Sequence, residues 1–251
     1  TLSSSSAASD VYKRQVEKSA ATSAKTRTTL IVVVSIFIVA AVLVAMVPLL
    51  MTLFKGGGVK TEGITADKVS AASTDIDGDW EVTNRPGDNV TSAGFTFEEV
   101  LPGERRSTSA STRGVTGFAT IDEGTLTAGE ITVDMQHLSS DSDKRDSSVR
   151  RRIFHTDEYP EATFEVTEPA DVSAVPEDGT VGSVELTGEL TIHGKTNEIT
   201  HEFDVARSGD HLIVAGDIPI NRLDYGVETP ELVAAKIAEE GEVNVRINMT
   251  K

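Results

Sequence analysis

The chain contains no cysteine, which excludes a disulfide framework, a thiolate nucleophile and any cysteine-ligated metal. A domain without such staples must be held by an apolar core of its own. Basic residues are scarce: 23 Lys and Arg stand against 40 Asp and Glu, for a formal net charge of −17. A surface that acidic repels nucleic acid, which is excluded as a partner. The only histidines are His137, His155, His193, His201 and His211. They fall on different predicted elements, with neither His-x-His nor His-Glu-x-x-His spacing, so no metal and no other cofactor is expected. There is no Gly-x-Ser-x-Gly elbow, and nothing places two carboxylates at catalytic separation. The reading is therefore non-enzymatic.

Long apolar runs are absent with one exception, Leu30 to Phe54, interrupted only by Ser35, Pro48 and Thr52. About 20 such residues in a helix cross a bilayer. The run is too long for a signal-peptide core and lacks a small-x-small exit, so it reads as an anchor that is kept. Lys13, Arg14, Lys18, Lys25 and Arg27 precede it, which by the positive-inside tendency leaves a short arm in the cytoplasm and the large C-terminal domain outside. Residues 1–15, Ser/Ala-rich and without an initiator methionine, read as a non-native or fragment edge. The expected organisation is a basic arm over 1–29, a transmembrane helix over 30–54, a Gly/Ser/Thr/Asp-rich linker over 55–78 with a brief helical stretch near Ala66 to Ala72, and one domain over 79–251.

From Trp80 onward the chain alternates apolar and polar residues in short runs, the period-two pattern of half-buried strands. The clearest runs are Phe95/Phe97, Val115 to Ile121, Ile131/Val133/Met135, Phe164/Val166, Val184 to Ile192, Phe203/Val205, Leu212 to Ile220 and Val243 to Met249, about eight strands in all. Breakers such as Asp122-Glu123-Gly124 and Ser208-Gly209-Asp210 separate them. Gly117, Gly188 and Gly216 fall inside strands, where they permit sharp coiling. Two short helices are expected: Asp146 to Phe154, with Arg150, Arg151 and Arg152 near its C-terminal end, and Pro230 to Glu240, stopped by Gly241. An antiparallel sheet of this size closes into a barrel or pairs with a second sheet, and periodicity does not choose between them.

Four segments carry a family resemblance: Asp146-x-x-x-Arg150-x-x-x-Phe154; Glu158-Tyr159-Pro160-Glu161-Ala162-Thr163-Phe164; Gly188 to Thr196, which includes His193-Gly194-Lys195; and Asp224-Tyr225-Gly226-Val227. Together, in order over about residues 79 to 250, they resemble the YceI-like family. The resemblance implies an all-β, lipocalin-like antiparallel barrel of about eight strands with short helices, usually exported, whose apolar cavity can hold a polyisoprenoid or similar amphiphile. Two features depart from the family's simplest form: the transmembrane helix, and a polar segment from Leu101 to Arg113 where a short connection is usual.

Candidate ligand-binding residues are Phe95, Phe97, Phe118, Ile131, Val133, Met135, Phe154, Phe164, Leu190, Ile192, Phe203 and Tyr225, although for any one phenylalanine packing is the favoured reading. Asp146, Arg150, Pro160, His193, Gly194, Asp224 and Gly226 are expected to hold structure. Asp146 and Arg150, four apart on a helix, would form a modest ion pair. The expected partner is an isoprenoid, quinone-like or fatty amphiphile bound by a monomeric domain. The alternatives are a ligand-free interaction or stress-response module, and a cell-envelope hydrolase.

Overall fold

The computed structural model describes residues 57–101, 104–229 and 236–251. Among them no helix is long and apolar enough to cross a membrane. The 30–54 run, the arm before it and residues 230–235 lie outside the described residues.

Among the described residues twelve strands form one sheet: β1 (Gly57–Gly58), β2 (Gly78–Val82), β3 (Ser92–Leu101), β4 (Glu104–Thr112), β5 (Val115–Asp122), β6 (Thr125–Asp134), β7 (Glu161–Val166), β8 (Ala170–Asp171), β9 (Gly182–Ile192), β10 (Lys195–Ser208), β11 (His211–Asn221) and β12 (Lys236–Thr250). The ring runs β2-β5-β6-β7-β9-β10-β11-β12 and closes where Val82 and Glu81 pair with Met249 and Thr250. That makes an eight-stranded antiparallel barrel.

Its eight members are not quite the eight runs expected. The Phe95/Phe97 run, β3, pairs with β12 at Ser92 to Val100, beyond the β2 pairing, and so continues the line of β2. The segment from Leu101 to Arg113 is largely β4, which extends the line of β5 and makes a long hairpin with β3. We call the end carrying this hairpin, the β6–β7 connection and the His193-Gly194 turn the upper end. The lower end carries the 167–181 connection and the Gly209-Asp210 turn.

Several elements differ from expectation. The helix over Asp146 to Phe154 begins earlier, as α1 (Asp143–Ser148), and widens into a π turn over Val149–Ile153. No helix occupies Lys236 to Glu240, the described part of the Pro230 to Glu240 stretch. There Lys236 and Ile237 pair with Val100 and Glu99, and Glu240 pairs with Asn221, so two flanking strands override the proline and glycine punctuation. Gly241 marks the β-bulge that follows. Between β1 and β2 only Ala66–Lys68 is helical, a single 3₁₀ turn.

The rest of that segment is laid on the outer wall rather than free of it. Thr61 bonds Ser92 at 2.8 Å, Thr65 N–H donates to Asn89, Ala72 bridges Gly209, and Ile76 is buried in the core. Lys60 reaches Asp217 at 3.0 Å and Glu242 at 3.3 Å. Burial pulls the ammonium's pKa down, yet bonds to these two carboxylates hold it above its usual value. Asn244, fully buried beneath this strap, donates to Asp217 and accepts from Thr96.

A chain beginning at Gly57 is expected to fold alone, with a β-type circular dichroism spectrum and a cooperative melt unmoved by chelator. A chain beginning at Gly78 loses Ile76, Thr61 and Lys60 and is expected to melt lower by roughly 5 °C or more. Equal melting temperatures would show that the strap adds nothing to the fold.

Candidate functional site: an apolar cavity inside the barrel

The barrel encloses a cavity of about 170 Å³. Alternation makes it apolar, because each ring strand sends every second residue inward. Buried Val184, Leu186, Leu190 and Ile192 on β9 face buried Phe203 and Val205 on β10, and Ile218, Ile220 and Leu212 on β11 continue the wall. Aromatic pairs stiffen it: Phe95 lies 5.8 Å from Phe97 and 5.1 Å from Phe154, and Phe164 lies 6.2 Å from Phe203.

Three of these rings rest on glycines of neighbouring strands. A Cβ on Gly241 would come within 2.3 Å of Phe97, one on Gly216 within 2.8 Å of Phe203, and one on Gly188 within 2.7 Å of Phe164. Gly188 and Gly216 thus make room for side chains. The backbone itself requires Gly188 and Gly117, since a Cβ on Gly188 would strike the carbonyl of Glu165 at 2.4 Å and one on Gly117, which lies at φ 148°, the carbonyl of Glu130 at 2.1 Å.

The structure places eleven of the twelve candidate ligand-binding residues on the inner wall. Phe97, Met135, Phe154, Leu190, Ile192, Phe203 and Tyr225 are buried, while Phe95, Ile131, Val133 and Phe164 are half-buried. Met135 stands just past β6 in a 3₁₀ turn, and Tyr225 in another after β11. Phe118 is the exception. It borders the cavity wall but is 44% exposed, and its cross-strand partners Glu81 and Glu130 are both exposed. Val115, Ala119 and Ile121 hold the inward positions of β5, so Phe118 looks outward.

At the upper end Leu138 and Phe154 of the β6–β7 connection, and Arg222, Tyr225 and Val227 after β11, line the cavity. Asp146 and Arg150 do not pair with each other. Buried Asp146 accepts from the N–H and hydroxyl of Ser140, and Arg150 donates to the carbonyl of Leu138. Both therefore pin the 138–140 turn under which Leu138, Val149 and Phe154 are buried. Pro160 is exposed, and its carbonyl accepts the N–H of Met135.

His193 and Gly194 both take positive φ in the β9–β10 turn. The His193 ring packs 4.4 Å from Tyr159 and 5.6 Å from His155, and a Cβ on Gly194 would strike Tyr159. Exposed Asp224 accepts at its carbonyl from Asn197, and Gly226 at φ 65° ends the turn. Among the described residues no group of three or more His, Asp or Glu is placed to hold a metal.

Sequence reasoning missed Arg222. It is buried against the cavity, with its guanidinium donating to the carbonyls of Val227 at 2.6 Å and Ala238 at 3.1 Å. It thereby ties both ends of the β11–β12 connection together. The only signal was its place two residues before the Asp224-Tyr225-Gly226-Val227 motif.

Beside it, burial pushes the Tyr225 phenol above its usual pKa. The charge of Asp224 adds to this, and the bond from Asn197 opposes it. A raised phenol pKa means that the folded state holds its proton more tightly than the unfolded chain. Its contribution is complete below about pH 10 and is lost as the pH rises through the folded value. Denaturant midpoints measured from pH 8 to 11 are expected to fall at the alkaline end, and Tyr225→Phe to flatten the fall. An unchanged slope would show that another group titrates.

A closed antiparallel barrel with an apolar, unfilled interior defines a lipocalin-like ligand-holding domain. The chain belongs to the YceI-like domain family, whose sequence model matches residues 65–249. The family is one of non-catalytic ligand-binding domains. A polyisoprenoid binding domain from Saccharophagus degradans, implicated in plant cell wall breakdown, shares the fold with a TM-score of 0.53 at 18% identity, covering 68% of this chain and 97% of that one. BcnA from Burkholderia cenocepacia gives 0.48 at 21% identity over 61% and 95% of the two chains. The YCEI protein of Campylobacter jejuni gives 0.38 at 16% over 77% and 100%. No curated protein matches the chain.

Proposed function

We propose that the chain is a membrane-tethered, extracytoplasmic binding protein that carries or sequesters an isoprenoid, quinone-like or other long-chain amphiphile and performs no chemistry on it. The observation that carries this reading is the unfilled interior. A void of 170 Å³ costs a fold on the order of 4 kcal/mol, against a typical net stability of about 5–15 kcal/mol. A module that binds only through its outer surface gains nothing from that loss. An apolar void of about 150 Å³ stays dry and takes up a hydrocarbon guest, and each Å² of guest surface buried contributes about 25 cal/mol. A chain-like lipid thus gains affinity without a charged contact.

The name of the Saccharophagus degradans relative supports the ligand class, and the basic arm before the Leu30 to Phe54 run supports the tether and the outward placement. The test is organic extraction and mass spectrometry of the purified full chain. A long-chain lipid is expected, and its removal is expected to lower the melting temperature, because a ligand that binds only the folded state stabilises it. If nothing is recovered, and nothing is taken up from a mixture of polyisoprenoids and quinones, the carrier reading falls.

A further inference from the structure

We infer that the guest enters and leaves the barrel sideways, through a slit between the upper parts of β10 and β11 that the rings of His201 and Phe203 cover. This rests on the reading of the cavity as a carrier site.

The first observation is an unfinished ladder. β10 and β11 pair only from Ser208 and His211 up to Asp204 and Ala215. Above that level β10 runs on from Phe203 to Lys195 paired with β9, and β11 runs on from Gly216 to Asn221 paired with β12. Among the described residues no strand pairs with the two edges that face each other there. Carried on, the register would set Thr200 against Pro219, and a proline has no N–H to give a neighbouring strand, which suits it to an open edge. Alternate N–H and C=O groups along both edges therefore lack ladder partners and turn to water or to a guest. The slit is bounded below by the Asp204–Ala215 pair and above by the Asn197 amide, which donates to the carbonyl of Asp224 at 3.3 Å. Residues 198–203 between those limits rise about 20 Å. Other short ladders of the wall are covered. That of β7 and β9 ends at Val166 and Gly188 and is followed by the 167–181 connection, whose Val172 and Val175 are buried, while the β2–β12 seam is continued by β3.

The second observation is what stands in the slit. Ile199 and His201 share the inward register of Phe203 and Val205, yet both are half-buried where Phe203 and Val205 are fully buried. The His201 ring meets Phe203 edge-on, with 5.0 Å between centroids. Both rings lean across onto β11, where a Cβ on Gly216 would come within 2.8 Å of Phe203 and 3.3 Å of the His201 Nε2. Phe203, Ile218 and Ile220 line the cavity behind them. The cover between guest and water at this place is thus a pair of side chains, which open by changing rotamer. A passage elsewhere in the wall would have to part hydrogen-bonded strands. The rings keep the apolar interior dry at rest, and their rotation admits a chain without unfolding the barrel.

The absence of native cysteine lets the slit be stapled in the purified full chain. Thr200→Cys with Pro219→Cys would be joined by a bis-methanethiosulfonate, which a reductant cuts. Thr187→Cys with Thr200→Cys, opposite each other on the paired β9–β10 side, makes the control staple. Uptake and release of radiolabelled geranylgeraniol, a free polyisoprenoid alcohol, are timed before stapling, after it and after reduction, so each folded variant is its own reference. The β10–β11 staple is expected to slow both rates by about ten-fold or more while the equilibrium Kd stays the same, and reduction to restore them. The control staple is expected to change neither rate, and His201→Ala, which removes one ring of the cover, to raise both. Exchange through the stapled slit at the unstapled rate, or equal slowing by the two staples, overturns the doorway and leaves the carrier standing. No uptake of the probe by the unstapled protein overturns both.

Discussion

Phe203→Asp is expected to abolish lipid retention and to cost the barrel about 3–5 kcal/mol or more. Phe118→Asp is expected to leave retention intact and to cost no more than about 1 kcal/mol, from the like charges of Glu81 and Glu130 directly opposite it. Phe203 is 4% exposed, packs against Phe164 and faces the cavity. A carboxylate there would have no partner and would lose the ring's contacts. Phe118 is on the other side of its strand, between Glu81 and Glu130, where a charge remains in water. Because Phe203→Asp can simply unfold the domain, Val245→Phe gives a second arm. Half-buried Val245 lines the cavity, so the larger side chain occupies guest volume and is expected to lower lipid content while cooperative melting is kept. Full lipid content in Val245→Phe, or in a folded Phe203→Asp, would show that the guest is held elsewhere.

Trp80→Ala is expected to cost about 3–5 kcal/mol, read as a fall in the denaturant midpoint. Trp80 is the only tryptophan and is 1% exposed, and its indole N–H donates to the carbonyl of Ile76 at 2.8 Å. The Lys251 ammonium lies 4.8 Å from the ring and donates to the carbonyls of Asp75 and Asp77. The ring thus seals the seam where the first ring strand meets the last. Trp80→Phe retains most of the apolar contact but loses the hydrogen bond and is expected to fall between wild type and alanine. An alanine variant within about 1 kcal/mol of wild type would show that the seam closes without the indole.

Strands with one apolar and one polar face were legible because the pleat repeats every second residue, and β9 and β11 show that pattern most plainly. β4 was not legible as a strand. Its Ser107-Thr108-Ser109-Ala110-Ser111-Thr112 run offers no apolar alternation, yet Thr108 to Thr112 are buried, with Ser109 bonded to Thr96 and Ser111 bridged to Ser139. Small hydroxyl side chains filled a tight place that larger apolar ones could not. Alternation also divides a strand into two faces without saying which is inner. For β5 the choice falls to Ala119, which pairs with Trp80, and Phe118 goes outward. The Asp146 and Arg150 spacing suggested a pair, but the 138–140 turn, six residues before Asp146 and twelve before Arg150 at its two contacts, supplied the partners of each. Arg222 was hidden because a buried arginine satisfied by carbonyls has no sequence signature apart from its neighbours.

The contact of Phe97 and Phe203 with Gly241 and Gly216 makes the bore of this barrel adjustable from the far side of each ring. A methyl added at either glycine would push its phenylalanine toward the axis, narrowing the channel by a fraction of a ring without placing any new group in it. Removing bulk from the ring itself would widen it by the same route. Substitution at these paired positions therefore changes the bore while keeping the same apolar wall chemistry.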